Sequence, residues 1–107
     1  MRIISRQTLT VFAESLAGQK DYLSVKAALD AWFLEVRRAH WMSSADVKQH
    51  YAHASIPDSA RCVFNIKGND YRLVISIDYE KQAVWIKWIG SHRDYDGIDA
   101  RKVAFDG

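Results

Sequence analysis

The chain has 107 residues, of which 49% are hydrophobic and 26% charged, and its 15 basic and 13 acidic side chains give a formal net charge of +2. This balance excludes an intrinsically disordered chain, and we predict a single domain over residues 1–107. The one cysteine excludes an internal disulfide, and the sequence has neither a signal-peptide pattern nor a long apolar run. We therefore predict a cytoplasmic protein without a membrane partner.

The first element in the chain is a short strand at residues 2–4, which is expected at the edge of a sheet. Ser5 follows it and is a suitable N-cap for a first helix. Apolar side chains then recur at helical spacing from Leu9 to Leu16, and Gly18 is a typical helix stop. These features predict one short amphipathic helix.

The next residues predict two further helices. Asp21 can cap a second helix, in which apolar residues keep three- and four-residue spacing as far as Val36. A third, short helix is predicted to begin at Ser43 or Ser44 and to continue through Tyr51. Pro57 and Asp58 are expected to end the helical half of the chain.

Residues 61–96 hold the most regular pattern, because apolar and polar side chains alternate as they do along β-strands. Three runs are predicted to be strands: residues 61–67, 71–78 and 84–89. Polar turn residues separate the runs, which indicates antiparallel hairpins. We predict an α+β fold in which N-terminal helices pack on one face of a small antiparallel sheet that ends in a C-terminal three-stranded meander.

The same alternation predicts which side chains the helices leave uncovered. If Leu73 and Ile75 face the helices, then Arg72 faces outward, and Lys87 faces outward on the third strand. On the first strand the outward polar residues are Arg61, Asn65 and Lys67. Cations on neighbouring strands can converge on one anion, and a phosphate is the expected ligand. The alternative is that these are solvated residues that resist edge pairing.

Two tryptophans of the third predicted strand are assigned to opposite faces. Trp88 shares its face with Ile86, so we predict that Trp88 packs in the core. Trp85 falls on the outward face with Lys87 and Ile89, where its indole can stack on an unpaired RNA base if it is exposed.

His92 and Tyr95 follow the last predicted strand and are expected at the rim of the basic face. An imidazole can give or take a proton near neutral pH, and a phenol can do so when nearby cations lower its pKa. Metal-free RNA cleavage needs a base, an acid and cations around the phosphate, and Arg72, Lys87, His92 and Tyr95 supply these groups. The sequence leaves open which of His92 and Tyr95 is the base. The residues predicted to help hold the RNA are Arg61, Asn65 and Lys67.

The residues of this region resemble a known family. Residues 63–73, residues 86–92 and the pair Tyr95-Asp96 are similar to the corresponding segments of HigB-like toxins from bacterial type II toxin–antitoxin modules. The resemblance implies a RelE/ParE-like fold and metal-independent cleavage of mRNA, commonly on the translating ribosome, without a cofactor. It also implies neutralisation by a HigA-type helix-turn-helix antitoxin, through which the complex can bind its own operator DNA.

Other functions remain open at this point. A poison of the ParE type shares the fold but grips a protein target, and a plain RNA-binding module would bind without cutting. A zinc site is not expected, because the spacing of the candidate ligands matches no usual zinc signature. Those ligands are His40, His50, His53 and Cys62.

Overall fold

The computed structural model describes residues 1–104 of the chain. The three predicted helices are present, and they span Arg6–Ser15 (α1), Tyr22–Arg38 (α2) and Ser44–His50 (α3). Ser5 and Asp21 are the N-cap residues of α1 and α2, as the sequence predicts, and α3 begins at Ser44, one of its two predicted starts. None of the three N-cap side chains accepts a capping hydrogen bond within residues 1–104. No helix within the described residues is long and apolar enough to cross a membrane.

The strands form one five-stranded sheet in the order β1-β5-β4-β3-β2. Their bounds are Arg2–Ile4 (β1), Ser55–Asp58 (β2), Arg61–Ile66 (β3), Tyr71–Asp78 (β4) and Ala83–Ser91 (β5). Strands β3, β4 and β5 form the predicted antiparallel meander. The prediction of a wholly antiparallel sheet is wrong, because β1 lies at the edge parallel to β5. No hairpin joins β1 to β5, so no tight turn imposes an antiparallel direction on this pair.

Two short elements are additional to the predicted ones. Strand β2 lies at the edge of the sheet opposite β1, and an edge strand tolerates Pro57 because that side needs no donor from the residue. Helix α4, His92–Tyr95, follows β5 directly and begins at the N-cap Ser91. Pro57 thus lies within strand β2 instead of ending the helical half of the chain. Strand β5 ends at Ser91, one residue past the predicted stop at Gly90.

The main hydrophobic core lies between the helices and one face of the sheet. Phe64 is 1% exposed and contacts the rings of Trp32 and Trp41, with centroid distances of 5.5 and 6.1 Å. Leu73 and Ile75 are fully buried in the same core, as their alternation predicts. Burial of each such side chain stabilises the fold by about 1.5–3 kcal/mol. The helices thus cover one face and leave the meander's other face, which we call the outward face, for a site.

A β-bulge in β5 changes the faces of the residues that follow it. Val74 pairs with Trp88 and Ile75 pairs with Ile86, so Lys87 is one extra residue between two paired positions. The assignment of Trp88 to the core is wrong, because the bulge places Trp88 opposite Val74 on the outward face. Ile89 moves the other way and is buried in the main core. Simple alternation cannot predict this, because one added residue reverses every later side chain.

The C-terminal segment covers part of the outward face. Val63 and Val74 are buried although they lie outside the main core, and they pair directly across β3 and β4. Arg61 Nη1 donates hydrogen bonds to the carbonyl oxygens of Ala100, at 2.9 Å, and Val103, at 2.6 Å. These bonds bring residues 100–103 back to β3. The outward face is therefore free only in part, mainly toward the turn between β3 and β4.

Candidate active site

Cross-strand pairing arranges the outward residues of the meander in three rows. The first row is Asn65, Arg72 and Gly90, the second is Val63, Val74 and Trp88, and the third is Arg61, Ser76 and Trp85. The first and third rows are four residues apart along β4, about 13 Å at the rise of a strand. Arg61 and Trp85 therefore lie away from Arg72.

The Arg72 guanidinium is held through one of its nitrogens. Nη1 donates to the carbonyl oxygen of Asn69 at 3.0 Å and more weakly to that of Tyr71 at 3.4 Å. Nε and Nη2 make no hydrogen bond within residues 1–104, and the side chain is half-buried. A planar guanidinium that keeps two nitrogens open can bind two oxygens of a phosphate.

His92 is attached to the turn between β3 and β4, which also anchors Arg72. Its main-chain N–H donates to the carbonyl of Asp70 at 2.8 Å, and its ring Nδ1 lies 3.2 Å from the carbonyl oxygen of Asn69. Ser91 Oγ accepts from the Asp94 N–H and caps helix α4. The turn thus fixes both the backbone and the ring of His92.

The contact with Asn69 determines the tautomer of His92. A carbonyl oxygen can only accept a hydrogen bond, so Nδ1 carries the hydrogen. Nε2 is then the ring nitrogen without a hydrogen in the neutral imidazole, and it lies 3.7 Å from Asp96 Oδ1. The side chain is 42% exposed, so a bound substrate can reach Nε2.

Tyr95 and Trp88 complete the cluster around Arg72. The guanidinium carbon of Arg72 lies 5.8 Å from the centroid of the Tyr95 ring, within the range of a cation–π contact. The rings of Trp88 and Tyr95 are 6.1 Å apart. The Trp88 indole covers Gly90, the Cα partner of Arg72, because a Cβ built on Gly90 would meet that ring at 2.6 Å. The sequence interpretation missed Trp88, and the glycine two residues after a large aromatic was the available signal.

The structure therefore brings together Arg72, His92 and Tyr95 of the predicted catalytic set. Lys87, the fourth member, lies in the bulge next to Trp88 and is half-buried. Its ammonium makes no ion pair within residues 1–104. Lys87 is adjacent to the cluster in the chain, but no bond joins it to the cluster.

The predicted RNA-binding residues are not all brought to this site. Asn65 is exposed and pairs with Arg72. Lys67 instead binds two carboxylates, Asp21 at 3.0 Å and Asp70 at 3.1 Å. Hydrogen bonds to these two partners raise the pKa of Lys67, and the bond from Lys67 lowers the pKa of Asp21. Lys67 thus ties the turn to the start of α2.

Arg61 and Trp85 lie in the third row, at the other end of the sheet. The guanidinium of Arg61 is occupied by the two main-chain carbonyls of the C-terminal segment. Trp85 is half-buried and pairs with Ser76 and with Ile4 of β1. Neither side chain reaches the Arg72 row.

The remaining candidate groups do not add a second site. Cys62 is fully buried, and burial raises the pKa of its thiol to about 11, which disfavours the thiolate that a nucleophile needs. Within residues 1–104, no three His, Cys, Asp or Glu side chains gather as metal ligands would.

The geometry places an arginine with open donors beside an imidazole and a phenol at the end of a half-covered sheet. Residues 25–98 match the HigB_toxin family, described as the RelE-like toxic component of a toxin–antitoxin system. The match covers well over half of the chain, so this protein belongs to that family of toxins. Membership of a RelE-like toxin family suggests an endoribonuclease, and a toxin–antitoxin family implies an antitoxin partner. No curated protein matches the chain.

Proposed function

We propose that this toxin is an mRNA interferase that cuts RNA without a metal ion. The observation that carries the proposal is the shared acceptor: Arg72 Nη1 and His92 Nδ1 both bond to the Asn69 carbonyl. A guanidinium and an imidazole therefore meet at one carbonyl oxygen, and we assign phosphate binding to the first and proton transfer to the second. Metal-independent RNA cleavage needs this pair of functions together.

In the proposed reaction the ribose 2′-oxygen attacks the adjacent phosphorus and the bond to the 5′-oxygen breaks. One group takes the proton of the 2′-hydroxyl, and another gives a proton to the leaving 5′-oxygen. His92, through Nε2, and Tyr95 share these two transfers. Arg72, through Nε and Nη2, and Lys87 stabilise the negative charge that builds up on the phosphate. The products are a 2′,3′-cyclic phosphate and a 5′-hydroxyl.

The substrate of the proposed reaction is single-stranded mRNA, bound on the translating ribosome. Asn65 pairs with Arg72, so its amide lies next to the position proposed for the scissile phosphate. Trp88 offers an aromatic ring for an unpaired base on the same face, a role that the sequence suggested for Trp85. Arg61 and Lys67 are left out of the proposed site, because both cations already have partners within the chain. The proposed antitoxin is a HigA-type helix-turn-helix protein.

The test is brief induction of the toxin in growing cells, followed by mapping of new RNA 5′ ends with and without a drug that stops translation. We expect new 5′-hydroxyl ends within mRNA coding regions, and we expect most of them to disappear when translation stops. If the new ends persist when translation is stopped, the protein is still a nuclease, but the proposal that it cuts mRNA on the ribosome is wrong.

The two competing functions give different results in the same experiment. Growth arrest with intact transcripts, and no effect of His92→Ala on toxicity, would favour a poison of a protein target. Salt-sensitive RNA binding without new ends would favour a plain RNA-binding module. Either result would reject the nuclease.

A further inference from the structure

A groove outside the catalytic cluster lies at the edge of β3. Its volume is about 370 Å³, which is in the range of small-molecule sites. Its lining combines aromatic and polar side chains with three small residues: His50, Tyr51, Ala52, His53, Ala54, Phe64, Asn65 and Gly68. No Lys, Arg, Asp or Glu belongs to this lining.

The groove exists because β2 is shorter than β3. The pairing of these strands reaches only from Asp58 opposite Arg61 to Ser55 opposite Val63. Residues 51–54, which precede β2, lie outside the sheet. Strand β3 therefore continues from Val63 to Ile66 without β2 beside it. The space between the end of α3 and this free length of β3 is the groove.

The aromatic wall of the groove is held by hydrogen bonds and ring contacts. Tyr51 donates its hydroxyl hydrogen to Glu35 Oε2 at 2.7 Å, and this carboxylate also lies 3.8 Å from His50 Nε2. The His50 and Tyr51 rings are 4.5 Å apart, and Tyr51 meets Phe64 at 5.0 Å. A wall fixed in this way loses little freedom when a flat ligand stacks on it.

The opposite side of the groove offers open polar groups. Asn65 and His53 are exposed, and neither side chain makes a hydrogen bond within residues 1–104. A free amide can donate and accept at once, which suits the edge of a nucleobase. Lys48, the cation beside the groove, already donates to the carbonyl oxygens of Ala52 at 2.9 Å and Ala54 at 2.6 Å.

The groove is next to the catalytic cluster. Asn65 is the Cα partner of Arg72, and paired side chains on one face lie about 5 Å apart. Gly68 belongs to the turn whose Asn69 carbonyl anchors Arg72 and His92. One nucleotide can therefore place its phosphate at Arg72 and its base across β3.

We propose that this groove is a nucleobase subsite that reads the base next to the cleaved phosphate. The inference rests on the proposed nuclease function. The base stacks on the exposed ring of His50, which lies against Tyr51, and Asn65 and His53 bond to the edge of the base. The subsite makes cleavage depend on the identity of one base.

The test compares the 5′-end maps of wild type, Asn65→Ala and His53→Ala. His40→Ala is the matched control, since His40 is an exposed histidine outside the groove. We expect a base bias at one position beside the wild-type cut, which Asn65→Ala and His53→Ala reduce at least threefold and His40→Ala leaves unchanged. An unbiased wild-type map, or the same bias in all four proteins, would overturn the subsite.

A binding measurement separates this inference from the proposed nuclease. The four nucleoside monophosphates are added in turn to the purified toxin, and NMR records the ring signals of all four histidines. We expect His50 and His53 to shift with at least one nucleotide and His40 to remain in place. If the wild-type toxin makes no new RNA ends, the proposed nuclease function is wrong, but the histidine shifts still test whether the groove binds a nucleotide. Unmoved His50 and His53 signals would reject the groove as a nucleobase subsite.

Discussion

The Arg72 guanidinium and the His92 imidazole bond to the same acceptor, the main-chain carbonyl oxygen of Asn69, at 3.0 and 3.2 Å. The separation of their two bonding nitrogens therefore cannot exceed the sum of these distances. The acceptor lies in the turn between β3 and β4, where Lys67 and Gly68 have φ of 52° and 62°. The conformation of one turn thus sets the positions of both groups relative to each other.

We expect Gly90→Ala to disturb the cluster around Arg72 by displacing the Trp88 indole. The added Cβ would lie 2.6 Å from the Trp88 ring, so the indole must move away from its position beside Tyr95. We expect a loss of about 1–3 kcal/mol in the free energy of unfolding, as for other crowded sites. Urea denaturation measures this loss, and RNA cleavage should fall as well.

Gly97→Ala is the matched control for Gly90→Ala. A Cβ at Gly97 meets only the Asp94 carbonyl oxygen, at an ordinary 3.5 Å. We expect stability and cleavage close to wild type. Equal effects of the two substitutions would contradict the placement of Trp88 over Gly90.

Arg61→Ala tests whether this arginine holds the chain or the RNA. It removes the charged donor of two hydrogen bonds to Ala100 and Val103. We expect a loss of about 1.5–3 kcal/mol in the free energy of unfolding. Amide hydrogen exchange should become faster in residues 100–103, while the positions of RNA cleavage stay the same. If the variant is as stable as wild type but binds RNA more weakly, Arg61 contacts the RNA and does not stabilise the chain.

The Asp21–Lys67 pair predicts a stability change in acid. The hydrogen bond from Lys67 holds the pKa of Asp21 below its ordinary value of 3.8. The stabilisation is therefore complete above pH 3.8 and is lost as the pH falls toward the lower pKa of the folded state. Asp21→Asn should be less stable than wild type at neutral pH, and the difference should shrink below pH 3.8.

Lys67→Met provides the control for this acid effect. Because Lys67 is the main cause of the lowered pKa, Asp21→Asn should have little pH-dependent effect when Lys67 is already replaced. Urea midpoints between pH 3 and pH 7 measure both comparisons. An equal pH dependence with and without Lys67 would contradict the assigned cause.

Local patterns predicted most of the elements. Helix α2 follows from its apolar spacing, and the meander follows from alternation and the polar turn at residues 67–70. Strand β2 was missed because four residues that include Pro57 carry too little signal to define a strand. The parallel pairing of β1 was missed because it depends on the route of the whole chain.

The site was predicted only in part, for a physical reason. The outward direction of Arg72 follows from the period of two in β4, and the position of His92 follows from the end of β5. The bulge at Lys87 left no trace in the alternation, so Trp88 and Ile89 were assigned to the wrong faces. The two carbonyl partners of Arg61 come from the C-terminal segment, which no local pattern connects to β3.

The central claim is that Arg72 and His92 act at one RNA-cleaving site. The most direct measurement is a 5′-end map from cells that express wild type, Arg72→Ala, His92→Ala or Arg93→Ala at equal levels, with folding checked by circular dichroism. Arg93 is exposed and follows His92 in α4, which makes it a matched control. We predict that the wild-type ends fall at least 100-fold with Arg72→Ala, a loss typical of removing a charge-stabilising donor, and at least 100-fold with His92→Ala, a loss typical of general acid–base catalysis. The ends should persist with Arg93→Ala. Unchanged ends in folded Arg72→Ala and His92→Ala proteins would contradict the claim.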